Sequence, residues 1–111
     1  MSHTRVWPVL IWIGIAAGML VPVALAATSP FLAFRDAIYI IAGFAGIICL
    51  ALFLIQPLLA AGKLPGLSLA QARRWHRGVG TAIVVAVALH IGGLYLTSPP
   101  DTLDALLLVA P

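Results

Sequence analysis

Residues 37–62, AIYIIAGFAGIICLALFLIQPLLAAG, lie between Asp36 and Lys63 without one charged side chain. A helix rises about 1.5 Å per residue, so about 20 apolar residues cross a hydrocarbon core about 30 Å thick. In lipid the backbone must satisfy its own hydrogen bonds, which makes a helix the expected state of this run. Gly62 and the Pro65-Gly66 pair supply the stop, so a helix is expected over 37–61. Two further uncharged runs flank it: residues 6–34 between Arg5 and Arg35, and residues 78–100 between Arg77 and Asp101. Thr28-Ser29-Pro30 ends the first and Thr97-Ser98-Pro99-Pro100 ends the last, which places helices near 7–27 and 76–97. The expected fold is all-α: an integral membrane bundle of three transmembrane helices, forming one domain over residues 1–111.

Composition excludes the alternative of a water-soluble domain. Charged residues make up 8% of the chain and the mean hydropathy is +1.16. A soluble domain needs about 25% charged residues to cover its surface. The net charge of +3 comes from loop anchors and forms no clustered patch of the kind that binds nucleic acid.

Those anchors orient the chain. The 62–77 connection carries Lys63, Arg73, Arg74 and Arg77, whereas the 28–36 connection carries only Arg35 beside Asp36. The tail beyond 97 holds Asp101 and Asp104 and no cation. The excess of cations predicts that the 62–77 connection is cytoplasmic, with the N-terminus inside and the C-terminus outside an inner or plasma membrane. Arg5, the apolar run and Ala24-Leu25-Ala26 also have the form of a secretory leader, but the run from Val6 to Ala27 exceeds the roughly 7–15 residues of such segments. Cleavage there would leave two helices in the same orientation. The apolar stretch from Ala105 to the end has the character of a fourth span that has just begun.

Most of the polar and small residues have structural readings. Trp7, Trp12, Trp75 and Tyr95 suit the membrane interface, although Trp12 is deep for that role. Pro22 and Pro57 are expected to kink their helices. Gly14-Ile-Ala-Ala-Gly18 is a small-xxx-small packing motif, and Gly43 and Gly46 invite the same reading. Cys49 has no second cysteine to pair with and is a small packing residue. Gln56 is expected to make an interhelical hydrogen bond, and His3 is expected to be inert.

The third helix asks for more. His90 lies deep in an uncharged run, where an ionisable side chain is a functional-site candidate by default. His76 lies fourteen residues earlier on the same helix. Fourteen steps of about 100° return to within roughly 40° of one face, and the rise between them is about 21 Å. That spacing is too long to share one metal ion and suits two sites stacked across a membrane. Imidazole is an axial ligand of haem iron. Gly80, Ala86 and Gly93 lie three or four residues from the histidines, where small side chains leave room for a flat macrocycle. The plainer readings are an interfacial anchor for His76, within Arg73-Arg74-Trp75-His76-Arg77, and an interhelical hydrogen bond for His90.

The helix from Trp75-His76-Arg77-Gly78-Val79-Gly80 to Ala88-Leu89-His90 resembles the ferric reductase-like transmembrane domain. Ala42-Gly43-Phe44-Ala45-Gly46, Gln56-Pro57-Leu58-Leu59-Ala60 and the short basic connection also resemble its bacterial members, so the likeness covers roughly residues 37–100. It implies a haem b-binding electron-transfer component in which His76 ligates the inner haem and His90 the outer. In that family a later helix supplies a second pair of histidines. This chain has only His3 besides these two. The resemblance therefore implies the N-terminal half of a six-helix domain: either the chain is a fragment, or a partner chain or a second copy completes one or two haem sites. It also implies a flavoprotein, with flavin on the partner, or a quinol as donor, and an extracytoplasmic acceptor. The chain is then at most the membrane electron-transfer part of an oxidoreductase, with no catalytic residue of its own. The competing expectation is a haem-free scaffold or assembly subunit packing through Gly14, Gly18, Gly43 and Gly46. A small transporter subunit is disfavoured, because Asp and Glu are absent from the helix interiors.

Overall fold

A computed structural model describes residues 3–109, with side chains from residue 6 onward. The described chain is helical and has no strand. Helix α1 spans His3–Ala27, α2 spans Ala37–Ala61, α3 spans Leu69–Thr97 and a short α4 spans Pro99–Leu106. A 3-10 turn, Pro30–Phe34, joins α1 to α2. Three of the helices are long and apolar enough to cross a membrane: Val6–Ala27, Ala37–Ala61 and Leu69–Thr97. The long dimension of the molecule is 54 Å, enough to cross a bilayer about 40–45 Å thick including its headgroups. The protein is a membrane protein, a bundle of three apolar helices.

Its surface requires lipid. Leu20 is 65% exposed, Leu50 71% and Val84 68%, each in the middle of a spanning helix. Fewer than one residue in five of each spanning window is buried inside the chain. Such faces gain nothing from water and are stable against acyl chains.

Local chemistry sets the helix ends. Asp36 caps α2 by accepting the Tyr39 amide at 2.8 Å. Gly62 closes α2 in the left-handed region, φ +68°, where a side chain would be strained. Ser68 opens α3 with a full capping box, its hydroxyl accepting from the Gln71 amide while the Gln71 side chain accepts from the Ser68 amide. This corrects the expected start near 76: α3 begins at Leu69. At about 1.5 Å per residue, its 29 residues run about 43 Å. The basic first turns, with Arg73 and Arg74, thus extend past the apolar span, and the stretch expected in lipid is little changed. His3 opens α1, and its side chain lies outside the described residues.

Helices α2 and α3 form the tightest pair, running antiparallel. Their seam is built from small residues. Ala42, Ala45 and Cys49 of α2 and Ala72, Ile83 and Ala86 of α3 are buried along it. A Cβ added at Gly93 would stand 2.6 Å from the Ala42 Cβ, so the backbones touch there. Helix α1 packs on α2 through Ile15 and Met19 against Leu59. Gly18 lies against Leu54, where an added Cβ would meet Leu54 Cδ2 at 2.8 Å. The Trp12 indole N–H donates to the Pro65 carbonyl at 3.0 Å, tying α1 to the α2–α3 connection. That bond accounts for a tryptophan deeper than the interface.

The tail packs against the bundle. The chain reverses at Ser98-Pro99-Pro100 and α4 folds back along α3, burying Thr102. Thr102, Ala105 and Leu106 of α4 then share a cavity with His90 and Leu94 of α3.

A candidate ligand-histidine pair

The two histidines both face α2, as their fourteen-residue spacing requires, but their surroundings differ. His90 is held. Its Nδ1 lies 2.7 Å from the carbonyl oxygen of Ala42 on α2. A carbonyl only accepts, so Nδ1 carries a proton and donates, which leaves Nε2 as the ring nitrogen that this bond does not use. The ring occupies a notch left by Gly46: a Cβ there would stand 2.6 Å from His90 Nδ1 and Cε1. Only glycine admits the ring at this point. The position is half-buried and borders two cavities, one of about 310 Å³ and another of about 360 Å³. The first is lined by Tyr39, Ser98, Asp101 and Thr102 and opens toward the α3–α4 turn. The second runs along Gly43, Gly46 and Val87.

His76 is not held in this way. Its Nδ1 is buried without a hydrogen-bond partner, and so is the Oε1 of neighbouring Gln56. Gln56 Nε2 donates to the His76 backbone carbonyl at 3.0 Å. This amide orientation is chemically required, since a flipped amide would set two oxygens against each other. Gln56 therefore makes the interhelical bond expected of it, but to the main chain of His76. The imidazole borders a cavity of about 560 Å³, lined by Leu59, Ala60, Arg73 and Arg77. Clefts of roughly 300–1,000 Å³ are the usual size for small-molecule and cofactor sites.

The small residues beside the histidines have a different role from the one expected. Gly80 faces Gln56, where an added Cβ would lie 3.2 Å from Nε2. Ala86 is buried against Cys49 and Ile83. Gly93 is against Ala42. All three serve the α2–α3 contact, so the room they leave is filled by α2 and not by a macrocycle. The space beside the histidines lies in the cavities bordering them. Positions 76, 87 and 90, which line two of these, fall within roughly 60° on the helical wheel. Cys49, buried and unpaired, is the packing residue it was expected to be. Of the glycines offered for partner packing, Gly18 and Gly46 are used within the chain, whereas Gly14 and Gly43 face open space.

The ligand chemistry can be tested on these groups. A ligating histidine characteristically donates its other ring N–H to a carbonyl, which fixes the ring and strengthens the ligating nitrogen. His90 meets that requirement. His76 offers an imidazole at a cavity wall but lacks the N–H partner. No group of three or more His, Cys, Asp or Glu side chains converges among the described residues. Each histidine thus stands outside any such cluster among the described residues. No family model matches the chain, and it matches no curated protein and no solved structure.

Proposed function

We propose that the chain is a haem b-binding electron-transfer component of a membrane oxidoreductase, of ferric reductase-like type, with His90 and His76 as axial ligands in opposite halves of the membrane. The observation that carries this reading is the His90–Ala42 hydrogen bond, which commits Nδ1 to the fold and leaves Nε2 as the nitrogen for ligation inside an apolar bundle. A bound haem supplies one-electron iron chemistry; this chain supplies ligation, spacing and exclusion of water. Ala42 and Gly46 orient the outer imidazole, and Gln56 fixes the backbone of the inner one.

With the Lys63, Arg73, Arg74 and Arg77 end in the cytoplasm of an inner or plasma membrane, His76 is on the donor side and His90 on the acceptor side. The donor is a flavoprotein or a quinol and the acceptor is extracytoplasmic. His76 and His90 would each hold a haem from one side, and a histidine on the other side would come from a partner chain or a second copy. In this reading the three helices are half of a six-helix conduit.

The same hydrogen bond favours one other reading. An imidazole bonded between helices is what a haem-free scaffold subunit would use for assembly. The two readings separate in a pyridine haemochrome assay on protein purified with its partners, followed by His90→Ala. The haem reading expects a coloured protein that loses the outer haem in the variant. A colourless wild type leaves the scaffold reading, and a variant that keeps its full haem content refutes the ligand assignment.

A further inference from the structure

The three carboxylates of the chain, Asp36, Asp101 and Asp104, all lie at the end of the bundle where α2 begins and α3 ends. At the opposite end stand Lys63, Arg73, Arg74 and Arg77, with no acidic side chain within reach. Arg73 and Arg77 are one turn apart on α3, at the four-residue spacing that sets side chains side by side. Both line, together with His76, the cavity of about 560 Å³ whose other wall is apolar, formed by Leu59 and Ala60 of α2. The guanidiniums have fork geometry suited to the oxygens of a phosphate, and phosphate is a better partner for them than water in a half-enclosed cleft. The cleft sits where the apolar span of α3 gives way to its basic first turns, which is headgroup depth. The exposed ring of Trp75 lies in the same turn.

We infer that this cleft binds the phosphate of an anionic phospholipid, with Arg73 and Arg77 gripping the headgroup and Leu59 and Ala60 receiving the start of an acyl chain. Free phosphate shares the headgroup chemistry, but the apolar wall and the depth favour the lipid. Basic pockets between transmembrane helices bind headgroups in this way. The cavity is the one that His76 borders, so a lipid and a haem at His76 would exclude one another there; the arginines hold the anion, and lipid retention is read on haem-free protein, which keeps its failure distinct from that of the haem reading.

The test is native mass spectrometry of the full chain after equilibration in detergent micelles holding equal amounts of phosphatidylglycerol and phosphatidylcholine. Wild type is expected to retain the anionic lipid in preference. Arg73→Gln and Arg77→Gln are each expected to lower that preference roughly fivefold, the equivalent of about 1 kcal/mol per cation. Lys63→Gln, at the same end but outside the cleft, leaves it unchanged. The doubly substituted Arg73→Lys, Arg77→Lys protein keeps the charge and the insertion topology, and is expected to fall between wild type and the Gln variants because an ammonium lacks the fork. Equal retention of the two lipids by wild type overturns the proposal, as does a Lys63→Gln effect equal to that of the arginine variants. Loss of the anionic lipid on adding inorganic phosphate at the same concentration as the lipid overturns the lipid assignment in favour of free phosphate.

Discussion

The two ends of the α2–α3 seam treat their histidines differently. Around His90 the ring is the thing held: Ala42 fixes its N–H, Gly46 admits its edge, and α4 folds over the cavity beside it. Around His76 the main chain is held and the ring is not: Gln56 bonds the carbonyl, while His76 Nδ1 and Gln56 Oε1 stay unpartnered. A buried unpartnered polar atom costs about 1–3 kcal/mol, so the His76 end carries unspent hydrogen-bonding capacity that a partner or ligand can use. The His90 imidazole is preorganised by the chain itself, and the His76 ring is not.

The sharpest way to break this comparison is to remove the rings. On the proposed haem reading with two sites, His90→Ala should remove one haem and His76→Ala the other, read by haem content and by separate low-spin electron paramagnetic resonance signals. If both variants lose both haems, the sites are not independent along α3. The glycine notches test the same contrast with smaller effects. Gly46→Ala drives a Cβ into the His90 ring and should destabilise the protein by about 1–3 kcal/mol while altering the outer haem signal. Gly80→Ala meets only the tip of a flexible Gln56 side chain and should cost less than about 1 kcal/mol, by thermal unfolding in detergent. Equal costs would show that the two notches are alike.

Smaller still is Gln56→Leu. It removes the bond to the His76 carbonyl but also an unpartnered oxygen, so its net effect should be within about 1 kcal/mol. Trp12→Phe gives up one hydrogen bond from α1 to the Pro65 carbonyl of the α2–α3 connection, and hydrogen bonds inside membrane proteins average about 0.6 kcal/mol. A loss several times larger would mean that this bond organises the whole α2–α3 connection.

The three spans were legible because lipid leaves the backbone no alternative to a helix over a long uncharged run. The start of α3 was legible too, in Ser68 and Gln71 at capping-box spacing, but hydropathy alone points to the later residue 76 because Arg73, Arg74 and Arg77 break the apolar run. The His76–His90 face follows from helical periodicity. The neighbours of those histidines do not. Helical wheels place Gly80, Ala86 and Gly93 beside the rings, yet say nothing of which face another helix has taken. Gly46, which admits His90, is 44 positions away in sequence, and no local signal links them.

The sequence by itself determined that this is a three-span membrane protein, that its cations collect at one end, and that two imidazoles share one face of the third helix. These follow from hydropathy, charge and the 3.6-residue turn, which act along the chain. Only the tertiary structure decided what each imidazole meets: a carbonyl and a glycine notch for His90, a cleft walled by Leu59 and Ala60 for His76. Those partners come from α2, and the rotation of one helix against another is set by side-chain packing across the seam, where a single methyl group at Gly93 or Gly46 would change the fit.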